Sequence, residues 1–294
     1  VVNEIAIVSG KGGTGKTTIC AALGAHAGDI VMADCDVDAP DLHILLNPSI
    51  KLKSPFIASQ IAVIDEERCT LCGICEEACR FHAVAESKID PIACEGCGVC
   101  AYICPEAAIR MIDHQSGVLY NSDTRIGRLA HAKLLPGEGN SGRLVTEVRK
   151  LSTRIANEAG VSTILIDGSP GIGCPVIATV TGVNLGIIVT EPTVAGIHDM
   201  QRVLDLLTQF RVKSSVIINK FDLNIEKTEA IERYCQEHGV EVLGRIPFDR
   251  VMTESMVAAQ TLSEFAPDHE ISSLLQRIWT RISEILSESM STHD

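Results

Sequence analysis

The sequence predicts an α/β fold built on a mainly parallel sheet with helices on both faces. Three observations carry this. Short apolar runs at 5–8, 30–33, 163–166, 185–190, 216–218 and 242–246 lack the polar alternation of half-exposed strands, as strands covered on both faces do. Segments with helical apolar spacing stand between or after them, for example Ile197, Met200, Val203, Leu204 and Leu207, which is the βα alternation of a parallel sheet. Several runs end in glycine or a carboxylate, where an open α/β sheet keeps its ligand crevice.

The first run leads into Ser9-Gly10-Lys11-Gly12-Gly13-Thr14-Gly15-Lys16-Thr17-Thr18. Gly10, four residues, then Gly15-Lys16-Thr17 has Walker A spacing, in which a glycine turn lets backbone N–H groups face phosphate oxygens. Lys16 is placed to reach the β- and γ-phosphates and Thr17 to ligate Mg²⁺. A helix carrying Ile19, Ala22 and Leu23 opens here and adds the positive end of its dipole.

Lys11, directly after the first glycine, gives the loop the form Lys-Gly-Gly-Thr-Gly-Lys-Thr-Thr. This resembles the deviant Walker A of the MinD/ParA/Mrp superfamily of P-loop ATPases, which includes the nitrogenase iron protein. The resemblance implies ATP or ADP and Mg²⁺ as ligands, an ATP-dependent homodimer in which Lys11 acts on the partner's nucleotide, and a slow, partner-stimulated ATPase.

The second strand ends in Asp34-Cys35-Asp36-Val37-Asp38-Ala39-Pro40-Asp41. The resemblance makes this the first switch, with Asp36 at the water-positioning and Mg²⁺ site, while Asp38 or Asp41 reads as a cap for a helix over 42–46.

From about 64 to 112 the texture changes to Cys69-x2-Cys72-x2-Cys75-x3-Cys79, then Cys94-x2-Cys97-x2-Cys100-x3-Cys104-Pro105. Each half has the bacterial ferredoxin spacing, in which the fourth cysteine ligates the other cluster. The expected sets for two [4Fe–4S] clusters are Cys69, Cys72, Cys75 and Cys104 for one, and Cys94, Cys97, Cys100 and Cys79 for the second. Gly73, Gly96 and Gly98 suit the tight cluster loops, and Arg80 stands where proline usually follows. The repeat interrupts the nucleotide fold, so the expected organisation is an ATPase domain of 1–62 and 113–294 with a small α+β ferredoxin-like insert at 63–112. Residues 117–143 read as a long surface loop before a helix over 143–159.

The strand at 163–166 ends in Asp167-Gly168-Ser169-Pro170-Gly171, an apolar run then aspartate, as in Walker B, with Asp167 holding a Mg²⁺-bound water. Cys174 reads as a small packed thiol, although the nitrogenase iron protein has a bridging cluster ligand near this place. Cys20, Cys35 and Cys235 read as packed core residues. Asn219-Lys220-Phe221-Asp222 matches the guanine-reading tetrad of GTPases, whereas the family resemblance implies adenine read by Asn219. Pro247-Phe248-Asp249 resembles the family's second base-contacting segment. The helix over 271–286 is amphipathic but pairs Arg277 and Arg281 with Glu284 and Glu288, so it lacks the basic face that anionic lipid selects, and core packing is expected.

The net charge of -13 over 294 residues argues against nucleic acid, whose affinity comes from clustered Lys and Arg. No apolar run approaches the roughly 20 residues of a membrane span, so a cytoplasmic protein with neither nucleic-acid nor membrane partners is expected. The combined features imply an ATP-hydrolysing iron–sulfur protein that transfers electrons to a redox partner. The alternatives are an ATP-dependent scaffold for metallocofactor assembly and a MinD/ParA-like spatial organiser.

Overall fold

The computed structural model describes residues 2–291. The chain divides into two compact units: one holds the chain up to Lys53, Leu119–Lys133 and the chain from Ser141 onward, the other Ser54–Val118 and Leu134–Asn140. The second is wider than the insert at 63–112 expected from the cysteines alone.

The larger unit starts with β1 (Asn3–Ser9), α1 (Lys16–His26), β2 (Val31–Cys35) and α2 (Leu42–Leu46). The long β3 (Ser49–Ile64) then leads into the cysteine-rich unit, with α3 (Ile74–Ala78), β4 (Val84–Ala85), β5 (Lys88–Ile89) and α4 (Val99–Ile103). The chain returns along β6 (Ile109–Thr124) and β7 (Gly127–Leu134) to α5 (Ser141–Ala159), β8 (Thr163–Pro170) and α6 (Cys174–Val180). It ends with β9 (Leu185–Thr190), α7 (Val194–Gln209), β10 (Ser214–Asn219), α8 (Ile225–Glu237), β11 (Glu241–Ile246), α9 (Arg250–Val257), α10 (Leu262–Phe265) and α11 (Glu270–Ser291).

The main sheet has the order β11-β10-β9-β1-β8-β2-β7-β6-β3. Every pairing from β11 to β7 is parallel. β1 lies inside the sheet between β9 and β8, and its Ile5, Ala6, Ile7 and Val8 are wholly buried, which is why that stretch shows no alternation. Register sets Asp34 of β2 opposite Asp167 of β8, and Asp167 opposite Ile7 of β1. Three neighbouring strands thus deliver the glycine loop and two aspartates to one edge.

The expected loop at 117–143 is corrected: β6 extends to Thr124, β7 fills 127–134, and the helix begins at Ser141, leaving only a short connection. β7 buries Leu129, Ala130, His131 and Ala132 beside β2. Two small residues and a histidine gave no apolar run to read. Cys20, Cys35 and Cys235 are buried as expected, whereas Cys174 is exposed rather than packed.

α11 lays Ile271, Leu275, Ile278, Ile282 and Ile285 into the core. A Cβ on Gly244 of β11 would lie 2.7 Å from the Ile278 Cδ1, so that glycine lets helix and strand approach. No described helix is long and apolar enough to cross a membrane. Ile278→Ala is expected to cost about 2–5 kcal/mol in denaturant unfolding; a loss below about 1 kcal/mol would show that α11 is not fixed in the core.

Candidate functional site

The loop after β1 is shaped by what crowds it. Gly13 and Gly15 have left-handed φ of 80° and 86°, a region open to glycine at little cost. A Cβ at Gly10 would lie 2.3 Å from the Asp199 Cβ, and one at Gly15 would lie 2.4 Å from the Asn219 Nδ2, while Gly12 and Gly13 face open space. The loop is therefore pinned at both ends and clear along its middle, the form of a phosphate cradle.

Asn219 is 5 % exposed. Its Nδ2 donates to the Thr14 carbonyl at 2.7 Å, and its Oδ1 accepts from the Lys220 N–H at 3.0 Å. The structure thus places Asn219 as a brace on the glycine loop. Asp222 accepts from the Phe248 N–H at 2.7 Å, and Asp249 caps α9 through the Val251 N–H. That contact brings the 247–249 segment beside the tetrad and leaves the Phe248 ring exposed.

At the head of α1 the Lys16 Nζ donates to Asp167 Oδ1 at 2.6 Å, with Thr17 Oγ1 at 3.4 Å and Asp36 Oδ2 at 4.0 Å. Burial works against the ammonium, but Asp167 foremost, then Asp36 and Asp34, outweigh it and raise its pKa. Burial pushes the Asp36 carboxyl up to about 6, with Lys16 opposing and Asp167 adding to the rise. Asp34, wholly buried, is pushed well up by burial and by Asp167.

Asp34 accepts the Asp36 N–H and the Leu42 N–H, both at 3.2 Å. It, and neither Asp38 nor Asp41, supplies the side-chain bond at the start of α2, because the Asp41 side chain makes no cap. Its signal in the sequence was the carboxylate two positions before Asp36, at the end of a buried strand. The second Asp167 oxygen and the Thr14 hydroxyl are buried without a hydrogen-bond partner. Such groups are costly to bury unsatisfied, and an orphaned oxygen on the carboxylate that shares Lys16 with Thr17 and Asp36 fits the oxygen ligands that Mg²⁺ takes, directly or through water.

Lys11 is ion-paired to Glu191 at 2.5 Å. Lys220 shares the same carboxylate at 3.2 Å and also donates to the Gly13 carbonyl at 3.2 Å. Glu191, at the end of β9, drew no attention in the sequence, where it was one acid before a proline.

The cysteine-rich unit repeats its backbone in both halves. Leu71 and Gly96, Gly73 and Gly98, and His82 and Ala107 occupy matching positions, all with left-handed φ. Gly73 and Gly98 precede α3 and α4, each five residues long, and the cysteine following each helix accepts an N–H at sulfur: Ala83 to Cys79 at 3.3 Å and Ala108 to Cys104 at 3.4 Å. One cavity is lined by Cys69, Cys72, Cys75 and Cys104. Another is lined by Cys79, Cys94, Cys97 and Cys100, with Ala62, Phe81, Val84 and Met111 among its walls. Each fourth cysteine therefore crosses to the other half's cavity. Among the described residues no group of three or more His, Cys, Asp or Glu is arranged to hold a single metal ion. All twelve cysteines are free thiols.

Residues 5–261 match the family model of the CobQ/CobB/MinD/ParA nucleotide binding domain. Two uncharacterized proteins of Methanocaldococcus jannaschii are similar to this chain. One is 36% identical over 227 residues, covering 76% of this chain and 80% of that protein, and the other is 24% identical over 225 residues, covering 75% and 81%. Among solved structures, the cell division ATPase MinD of Pyrococcus furiosus superposes with a TM-score of 0.62 at 18% identity, covering 97% of this chain and 100% of that one. MinD of Pyrococcus horikoshii complexed with Mg-ADP gives 0.60 at 19%, with 96% of each chain covered. At such identities the superpositions speak to the fold alone.

Proposed function

Because the chain belongs to the CobQ/CobB/MinD/ParA nucleotide-binding family, we propose that it is an ATPase coupled to a ferredoxin-like insert with two [4Fe–4S] clusters, which passes electrons to a protein partner. The observation that carries the iron–sulfur part is the pair of cavities, each walled by the four thiols that crossed ferredoxin ligation requires. A cubane needs no convergence on one ion position, since each thiolate ligates a different iron.

The donor set fits: four thiols, apolar walls, and backbone N–H groups directed at sulfur. Cys69, Cys72, Cys75 and Cys104 would hold one cluster, and Cys94, Cys97, Cys100 and Cys79 the other. When bound, such a cluster supplies a one-electron store whose potential follows charge, hydrogen bonds to sulfur and exposure.

For the nucleotide, the amides of Gly12, Gly13 and Gly15 and the ammonium of Lys16 bind phosphate, Thr17 and Asp167 hold Mg²⁺, and Lys11 serves a second protomer's nucleotide. Mg²⁺, when bound, neutralises phosphate charge. Asp36 orients the attacking water, held in place by Asp34 through its own N–H. Asn219 fixes the loop's floor, and adenine, the base implied by the family, is bounded by the 247–249 segment, which the Phe248 N–H holds against Asp222.

The solved relatives named as cell-division ATPases suggest a second use, spatial organisation. The burial of the apolar face of α11 and the acidic charge favour the redox reading. Nucleotide-dependent co-sedimentation with lipid vesicles or DNA would reverse that preference.

Two measurements test the proposal. Anaerobic EPR of the dithionite-reduced protein, with iron quantification before and after an apo-acceptor is added, is expected to show two reducible clusters that stay bound. Clusters that transfer would instead indicate cofactor delivery, and iron-free protein with no EPR signal would remove the clusters. The kcat/KM of ATP hydrolysis, which reports the free enzyme, is expected to fall as pH drops through about 6, because protonated Asp36 cannot accept a hydrogen bond from water on its occupied oxygen. Asp36→Asn is expected to lower turnover about a hundredfold and abolish that acid limb; an unchanged limb would remove Asp36 from its role.

A further inference from the structure

Glu191 stands where three elements meet: the glycine loop, the end of β9 and the end of β10. Its backbone is rigidly held, since its carbonyl accepts the Thr193 N–H at 2.8 Å and a Cβ on Gly196 would lie 2.3 Å from that oxygen. Its side chain, 14 % exposed, takes Lys11 on one oxygen at 2.5 Å and Lys220 on the other at 3.2 Å. Lys220 reaches it from a left-handed backbone of φ 55°, a conformation rare outside glycine. Burial pushes the Glu191 carboxyl up, but the two lysine hydrogen bonds and their charges outweigh it and hold the group below the usual carboxylate range. It is therefore ionised throughout the neutral range.

Each ammonium has three donors in one small volume, and a donor given to Glu191 must be withdrawn from it before it can serve a phosphate oxygen. Lys11 is bonded to its own protomer's acid. Resting on the nucleotide reading above, in which Lys11 serves a second protomer's nucleotide, we propose that Glu191 is a positioning residue that competes with that triphosphate for Lys11 while Lys220 stays on the loop carbonyl, and so sets how readily the ATP-bound pair of protomers recruits Lys11. The acid acts through Lys11 and touches no reacting atom. Phosphate carries several charges where Glu191 carries one, so ATP wins the contest, but at a cost in affinity that a neutral side chain would not impose.

Glu191→Gln keeps the shape and removes the charge. With a fluorescent ATP analogue, E191Q is expected to bind about three- to tenfold more tightly than the unaltered chain and to show a steeper loss of affinity with salt. In a Lys11→Ala background the gain from E191Q is expected to shrink, which a purely structural acid would not show. Trace acetylation read by mass spectrometry, without nucleotide, is expected to modify Lys11 and Lys220 faster in E191Q. Glu191→Ala, checked with E191Q for an unchanged thermal midpoint, gives an independent measure in the same direction. If the unaltered chain binds ATP and both folded variants bind no more tightly, the competition is overturned while the nucleotide reading stands. If the unaltered chain binds no ATP, the nucleotide reading itself falls.

Discussion

Buried at the head of α1, the Lys16 ammonium is surrounded by more carboxylate than it can neutralise. It meets Asp167 directly and Asp36 at the limit of an ion pair, with Asp34 wholly buried behind them. Removing Lys16 from such a set leaves buried carboxylates uncompensated, typically costing several kcal/mol. The set exists because β1, β2 and β8 are neighbours in register, and that adjacency depends on strands apolar enough to be covered on both faces. Burial raises the pKa values of Asp34 and Asp36, and Asp167 adds to the rise at both. A divalent cation would relieve the excess of carboxylate, and the Asp167 oxygen left without a hydrogen bond is where that relief is most needed.

Charge arrangement also explains why the glycine loop keeps its shape. Its floor is tied by Asn219 to the Thr14 carbonyl and by Lys220 to the Gly13 carbonyl, so two carbonyls are drawn to the β10 side. Peptide groups that point their oxygens one way present their N–H groups the other. Glycine is required at Gly10 because Asp199 crowds it, at Gly13 because of its left-handed φ, and at Gly15 for both reasons, since Asn219 crowds it and its φ is left-handed.

Much of this was legible in the sequence where one residue type has one physical use. The Walker A glycines, the strand-end Asp167 and the two cysteine quartets each announced themselves by spacing, and the parallel sheet by its unalternating runs. What escaped depends on contacts between distant segments. β7 went unread because Leu129, Ala130, His131 and Ala132 owe their burial to β2 rather than to their own hydrophobicity. Asp34 was overshadowed by three nearby acids, and only the fold shows that it is the one aimed at Leu42. Glu191 and Lys220 have no local pattern at all, because their pairing joins the ends of β9 and β10 to a loop far earlier in the chain.

The cysteine-rich unit obeys a different constraint. It has little buried apolar side chain of its own: α3 and α4 bury no residue, and Leu71, Ile92 and Tyr102 are exposed. A unit so poor in core cannot be held by hydrophobic burial in the way the sheet is. Yet its two halves repeat the same left-handed positions, at Leu71 as well as at Gly96 and at His82 as well as at Ala107, and non-glycine residues adopt such backbone at a cost of order 1 kcal/mol or more each. That cost must be met by something the side-chain packing does not provide. Metal–thiolate bonding from four cysteines per cavity is an interaction of sufficient strength, because in small metal-bound folds the binding free energy is itself folding free energy. On this argument the proposed clusters, when bound, would be part of what folds this unit.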